Sequence, residues 1–119
     1  MHAAANIVVG IVALIHVYIL VLEMFLWEKP IGLRTFGLTR EFAAASKVLA
    51  ANQGLYNGFL AAGLIWGLLA GYVDVQKFFL WCVLAAGVYG AMTANIRILW
   101  VQAMPAAVAL VLLALVTQY

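Results

Sequence analysis

The sequence contains few charged residues. Only 8% of its 119 residues are Asp, Glu, Lys or Arg, and 69% are hydrophobic, whereas an ordinary soluble domain is about 25% charged. So few charges cannot cover a soluble surface, which excludes a soluble globular protein and a disordered chain. A net charge of +2 is too small for a nucleic-acid-binding surface. The class that remains is an integral membrane protein, with one domain at this length.

Cysteine and histidine are also scarce. Cys82 is the single cysteine, and His2 and His16 are the two histidines. No internal disulfide can form, and these three residues do not make a closed metal site with the usual ligand spacing. The sequence also lacks a glycine-rich phosphate loop, a nucleophile elbow and a haem motif. We therefore expect no metal and no cofactor.

The charges divide the chain into four long uncharged runs. These runs are residues 1–22, 48–73, 78–96 and 98–119. Each has about the 20 residues that a helix needs to cross the hydrocarbon core of a bilayer. The sequence therefore predicts an all-α protein, a four-transmembrane-helix bundle that forms a single integral membrane domain. We place the helices at about 5–27, 44–72, 77–95 and 102–118.

The first helix is expected to be retained. A secretory signal peptide has Lys or Arg before its apolar run and a small-residue cleavage pattern after it. This run has neither. After it, residues 28–39 include Pro30 and two glycines, which break helices, and we expect an interfacial loop there. Thr39 is suited to cap the second helix, with Glu41 in its first turn.

The start of the last helix has two interpretations. In the preferred one, Pro105 lies in the first turn of a short helix, where its missing N–H costs nothing. In the other, the helix starts near Ile98 and kinks at Pro105.

The distribution of basic residues predicts the orientation of the chain. Lys77 lies in the second predicted loop, whereas the other five basic residues lie in the first and third. Those five are Lys29, Arg34, Arg40, Lys47 and Arg97. Loops rich in Lys and Arg stay in the cytoplasm. Both termini are therefore expected on the non-cytoplasmic side of a multi-pass membrane protein.

Polar and aromatic side chains gather at one predicted level of this bundle, in its cytoplasmic half. We predict that they line a ligand-binding pocket, because polar groups inside a membrane are costly and usually serve function. The candidates are His16, Glu23, Trp27, Asn52, Gln53, Tyr56, Asn57, Asn95, Arg97 and Gln102. The alternative is an internal polar staple that joins helices, with Glu23 paired to Arg97 or His16.

Small residues recur on the second predicted helix. Gly63, Gly67 and Gly71 are spaced by four residues, and such stripes allow close helix packing. Packing inside the bundle is the preferred explanation, and a homodimer contact through the same glycines is the alternative.

The amide-rich run Asn52-Gln53-Gly54-Leu55-Tyr56-Asn57-Gly58-Phe59 resembles the hallmark of a family of small bacterial integral membrane proteins, domain of unknown function 1304. Three further segments are similar to that family, in the same order along the chain. They are His16 with Tyr18 and the run 22–27, Tyr89-Gly90-Ala91 with Thr93, and Val101-Gln102 before Pro105-Ala106. The resemblance spans essentially the whole chain. It implies a four-helix protein of the bacterial inner membrane and no established activity.

Three functions are compatible with these observations. The first is binding, with transport as an extension, of a small amphipathic or lipid-like molecule in the predicted pocket. The second is a membrane-embedded acid–base enzyme of isomerase type on a lipophilic substrate. Its catalytic candidates are Glu23 and His16, and Trp27 would stabilise a cation. The third is an accessory or structural subunit of a membrane complex. The lipid bilayer is the expected partner, and nucleic acid is not.

Overall fold

The computed structural model describes residues 2–117, and over that range it is all helical. Its elements are α1 (His2–Met24), α2 (Pro30–Phe36), α3 (Arg40–Ala70), α4 (Val73–Thr93), a π-helical turn (Leu99–Ala103) and α5 (Met104–Val116). The predicted all-α class is confirmed.

Among the described residues, three helical segments are long and apolar enough to cross a membrane. They are His2–Met24, Val73–Thr93 and Leu99–Val116. Helix α3 has 31 residues but is not one of the three. Residues 40–57 of this helix carry charges and amides, at Arg40, Glu41, Lys47, Asn52, Gln53 and Asn57.

The segment that we expected to be an interfacial loop contains helix α2, so that expectation was wrong for Pro30–Phe36. Pro30 lies in the first turn of α2, where no N–H is required of it. Gly37 ends the helix in the left-handed conformation at φ 64°, and its N–H donates to Leu33 O, a common helix C-cap. Proline and glycine therefore delimit this helix.

The N-terminus of α3 is capped as the sequence predicts. The backbone N–H of Phe42 donates to Thr39 Oγ1 at 3.1 Å, which satisfies one of the unpaired donors of the first turn. Glu41 lies in that turn, where a negative charge interacts favourably with the helix dipole.

Pro105 lies in the first turn of the short helix α5, as the preferred interpretation predicts. The connector expected at residues 98–102 was wrong, because Leu99–Ala103 is helical. The chain is helical from Leu99 through Val116, first as the π-helical turn and then as α5. A proline ring collides with the carbonyl four residues earlier in an α-helix and donates no hydrogen bond. Just before Pro105, the N–H of Met104 donates to Leu99 O, five residues back, and this wider turn accommodates the proline.

The chain divides into two compact units. The core unit comprises the described residues of segments Met1–Ile15 and Leu60–Tyr119, and the cleft unit comprises His16–Phe59. Small and branched apolar side chains fill the centre of the core unit. They are Ala5, Val9, Val12, Ala13, Leu64, Leu80, Val83, Ala106, Ala109 and Leu113.

The glycines of α3 pack within the core unit. A Cβ on Gly63 would collide with the ring of Phe79, and one on Gly67 would lie 2.7 Å from Gln76 Cγ. Gly71 ends α3 at φ 71°, and the N–H of Tyr72 donates back to Gly67 O at 2.9 Å, as in a Schellman cap. Contacts inside the chain account for Gly63 and Gly67, and the left-handed backbone accounts for Gly71. The homodimer contact stays a prediction.

Many large apolar side chains point outward. Leu69 is 85% exposed, Met92 80% and Leu49 74%. Extensive exposed apolar surface marks contact with a membrane or a partner rather than with water.

Candidate functional site

A carboxyl–amide pair lies at the centre of the cleft unit. Asn57 of α3 donates from Nδ2 to Glu23 Oε1 of α1 at 2.6 Å. Both side chains are buried, with 3% of Glu23 and 8% of Asn57 exposed. A buried carboxyl group is costly unless it is hydrogen-bonded, and Asn57 supplies that bond.

Glycines bring α3 close enough for this bond to form. A Cβ on Gly54 would lie 2.6 Å from Met24 Cγ and 3.1 Å from Glu23 Cβ. One turn further along α3, a Cβ on Gly58 would lie 2.6 Å from Leu20 Cδ1. Gly54, Asn57 and Gly58 therefore form the face of α3 that packs on α1.

The segment between α1 and α3 is held to α3 through Trp27. The indole Nε1 donates to Ser46 Oγ at 3.2 Å, and Ser46 Oγ donates to Phe42 O at 2.7 Å. The Trp27 ring also packs on Phe36 of α2, with a centroid separation of 5.0 Å. Gly32 is buried against the backbone carbonyl of Leu26, so α2 folds closely over the preceding turn.

A cleft of about 730 Å³ opens beside this segment. It is lined by Glu23, Met24, Phe25, Trp27, Glu28, Lys29, Lys47, Val48, Ala51 and Asn52. Its volume lies within the range of about 300–1,000 Å³ that small-molecule pockets occupy. The lining combines apolar and aromatic side chains with charges of both signs, a composition suited to an amphipathic molecule.

Two of the lining charges form an ion pair. Lys47 Nζ lies 4.0 Å from Glu28 Oε1, and the two side chains are 62% and 49% exposed. Exposed pairs at this separation contribute about 0–1 kcal/mol to stability. The pair therefore holds neither group firmly, and both remain accessible to a ligand.

The sequence-predicted site residues of the cleft unit have different environments. Glu23, Trp27 and Asn52 line the cleft, and Asn52 Nδ2 donates to Val48 O at 3.1 Å. Asn57 is not part of the cleft lining, and it donates a hydrogen bond to Glu23, which is. His16 is fully buried and lies outside the cleft lining.

Gln53 and Tyr56 are exposed on α3. The ring of Tyr56 contacts Phe59 edge-on at 5.9 Å. Neither residue lines the cleft.

The other three predicted site residues belong to the core unit. Asn95 Oδ1 accepts a hydrogen bond from the backbone N–H of Arg97 at 2.9 Å, which stabilises the turn after α4. Arg97 is exposed, and Gln102 is half-buried in the π-helical turn. Asn95 therefore has a structural role in this turn.

Several residues that matter to the site escaped sequence reasoning. Lys29 and Lys47 served only to predict orientation and Glu28 was not singled out, yet all three line the cleft. The usable signal was their position, because they flank the segment that connects two helices of the site.

A second omission is Gln76, which lies in the core unit. It is buried, its Nε2 donates to Gly67 O at 3.0 Å, and its Oε1 has no partner among the described residues. Gln76 lies between the predicted helices 44–72 and 77–95, where no sequence pattern marked it as buried.

The chain is similar to known proteins along most of its length. The family described as Protein of unknown function (DUF1304) matches residues 10–114. The chain is 31% identical over 105 residues to the Uncharacterized protein YpaA of Lactococcus lactis subsp. lactis (strain IL1403), which covers 85% of this chain and 88% of the relative. No solved structure matches it. The amide-rich run on α3, the match over most of the chain and the similarity to this relative agree, and the chain belongs to the DUF1304 family.

Proposed function

We propose that the protein binds a small amphipathic, lipid-like molecule in the cleft of the cleft unit. The observation that carries this proposal is the lining itself, in which Phe25, Trp27 and Val48 stand beside Glu28 and Lys47. Ligand pockets commonly combine an apolar wall with a few polar groups that orient the ligand. The charged side chains of the cleft bind the head of the molecule, and the apolar side chains contact its tail.

The protein is a multi-pass protein of the bacterial inner membrane in this proposal, with α3 as the fourth span. The exposed apolar side chains of α1, α4 and α5 support membrane insertion. At about 1.5 Å per residue, the second half of α3 still reaches across most of the bilayer. The basic residues around α2 favour the cytoplasm for that end, with both termini on the other side.

Transport of the same molecule is an extension of this function. Four helices offer a narrow pathway. A homodimer through Gly63, Gly67 and Gly71, the alternative to packing inside the bundle, would supply further helices. Binding is the property to establish first.

Lipid retention tests the binding proposal. The full chain is purified in mild detergent, and bound molecules are identified by native mass spectrometry. We expect a stoichiometric amphipathic ligand on the wild type and its loss from Val48→Trp, which fills the cleft. Leu69→Trp, at an exposed position of the core unit, is the matched control and should retain the ligand. A protein that carries no ligand, or equal retention in both variants, contradicts the proposal.

Cysteine labelling tests the topology. In a Cys82→Ser background, single cysteines replace Glu41 and Asp74, which are both exposed. Glu41 lies in the first turn of α3, and Asp74 lies beyond the other end of α3, in the first turn of α4. A membrane-impermeant maleimide added to intact cells should label the Asp74→Cys variant and spare the Glu41→Cys variant. The reverse labelling pattern contradicts the orientation, and equal labelling contradicts α3 as a span.

A further inference from the structure

We infer that the head of the bound molecule is zwitterionic and carries a primary ammonium next to a phosphate, as in an ethanolamine phospholipid. This inference rests on the proposed binding function and specifies the ligand of the same cleft. It comes from the signs, spacing and exposure of the charges that line the cleft.

Four ionisable side chains line the cleft. Glu28, Lys29 and Lys47 are exposed, and Glu23 adds a buried carboxyl group that is 3% exposed. An anionic head would meet carboxyl groups, and a cationic head would meet ammonium groups. Like charges brought together in a partly desolvated site are destabilising. A head that carries both signs is complementary to this lining.

The outer charges are spaced for such a head. Lys47 Nζ and Glu28 Oε1 are 4.0 Å apart, so a ligand that contacts both must place its opposite charges close together. In phosphoethanolamine two carbons separate the ammonium from the phosphate ester oxygen. Its phosphate would bind Lys47 and Lys29, and its ammonium would bind Glu28. The exposed ion pair is weak enough to open for this exchange.

The aromatic residues of the cleft distinguish a primary from a quaternary ammonium. A quaternary ammonium is recognised by several aromatic faces that form a cage. Trp27 already packs on Phe36 and donates its Nε1 proton to Ser46, so its ring is engaged in contacts within the protein. Phe25 is the other aromatic residue of the lining. A primary ammonium, with three N–H donors, instead suits the carboxylate of Glu28.

The tail has an apolar route out of the cleft. Phe25 is 67% exposed and Val48 is 66% exposed, and both line the cleft. Apolar surface therefore continues from the cleft to the outside of the cleft unit. An acyl chain can follow that surface into the bilayer while its head stays at the charged side.

Headgroup selectivity tests the inference. The full chain is stripped of lipid in detergent and titrated with phosphatidylethanolamine, phosphatidylcholine and phosphatidylglycerol of identical acyl chains, with native mass spectrometry as the readout. We expect phosphatidylethanolamine to bind at least tenfold more tightly than either of the others. Glu28→Gln and Lys47→Gln should each reduce that preference at least fivefold. Glu41→Gln and Arg40→Gln remove exposed charges outside the cleft and should leave it unchanged.

The outcomes separate this inference from the proposed function. Equal or tighter binding of phosphatidylglycerol overturns the zwitterionic head, and equal binding of phosphatidylcholine overturns the primary ammonium. In both cases the amphipathic-ligand proposal stands. Failure of all three lipids to bind overturns the phospholipid head. The amphipathic-ligand proposal is then decided by the molecule that copurifies with the wild type.

Competition by free phosphoethanolamine identifies the source of the head. Displacement of the lipid by the soluble compound shows that the head alone suffices for binding. Retention of the lipid shows that the tail is also required. Displacement supports the inferred head chemistry. When the lipid is retained, the selectivity among the three lipids decides it.

Discussion

Asn57 and Glu23 form a buried hydrogen bond of 2.6 Å between α3 and α1. The amide is 34 residues away in sequence and supplies the donor that a buried carboxyl group needs. The bond lies directly behind the wall of the cleft, because Glu23 also lines it. A single interaction therefore joins two helices and sets the position of a cleft residue.

Loss of the amide should destabilise the protein. Asn57→Ala leaves Glu23 buried without this donor, which costs about 1–3 kcal/mol, whereas Glu23→Gln keeps an acceptor for Asn57 and should cost less. Thermal unfolding in detergent, followed by circular dichroism, measures the difference. Asn52→Ala is the matched control, because Asn52 is exposed and bonds to its own helix. Equal destabilisation by Asn57→Ala and Asn52→Ala would show that the buried bond contributes nothing.

A methyl group at Gly54 should separate α1 from α3. Its Cβ would lie 2.6 Å from Met24 Cγ and 3.1 Å from Glu23 Cβ, and such overpacking costs about 1–3 kcal/mol. Gly10→Ala is the control, because no atom lies within 4 Å of a Cβ there. That change should be stabilising by up to about 1 kcal/mol through helix propensity alone. Opposite shifts in melting temperature are expected, and equal shifts would contradict the close approach at Gly54.

Trp27 and Ser46 should be energetically coupled. Trp27→Phe keeps most of the ring but removes the Nε1 donor, and Ser46→Ala removes its acceptor. A double-mutant cycle on chemical unfolding should give a coupling energy of about 0.5–1.5 kcal/mol, the net value of one hydrogen bond. Additive single effects would mean that the bond does not hold this segment to α3. Trp81→Phe, at an exposed position of α4, controls for general effects of the ring change.

Gly71 should tolerate Asn better than Ala. Its φ of 71° lies in the left-handed region, where a residue with a Cβ costs about 1–2 kcal/mol and Asn is less penalised. No atom lies within 4 Å of the added Cβ, so backbone strain alone accounts for the loss. Thermal unfolding of Gly71→Ala and Gly71→Asn measures it. Equal melting temperatures for the two variants would exclude a left-handed cap.

Part of this structure was predictable because it depends on local composition. Long apolar runs predict helices whatever their neighbours are, and Thr39 caps α3 through a bond within its own turn. Membership of the family was also predictable, because three amides in six positions of an apolar helix form an unusual pattern. These features require no knowledge of tertiary packing.

The rest depends on tertiary contacts that no local pattern specifies. Pro30 and Gly37 were interpreted as helix breakers, although they mark the two ends of α2. Asn52 and Asn57 were equivalent in the sequence, yet one is exposed and the other is buried on Glu23. The rule for membrane orientation uses Lys29 and Lys47 only as loop charges, and it says nothing about the cleft that they line.

The π-helical turn before Pro105 makes the exact number of residues between α4 and α5 important. A π turn accommodates one more residue than the α-helical turn it replaces, so the side chains that follow are rotated by about 100°, the angle of one residue in an α-helix. Ala106, Ala109 and Leu113 reach the core in the rotated register. A one-residue deletion between Leu99 and Ala103, of a kind that a surface loop tolerates, would turn all three away from the core and present a different face of α5 to it.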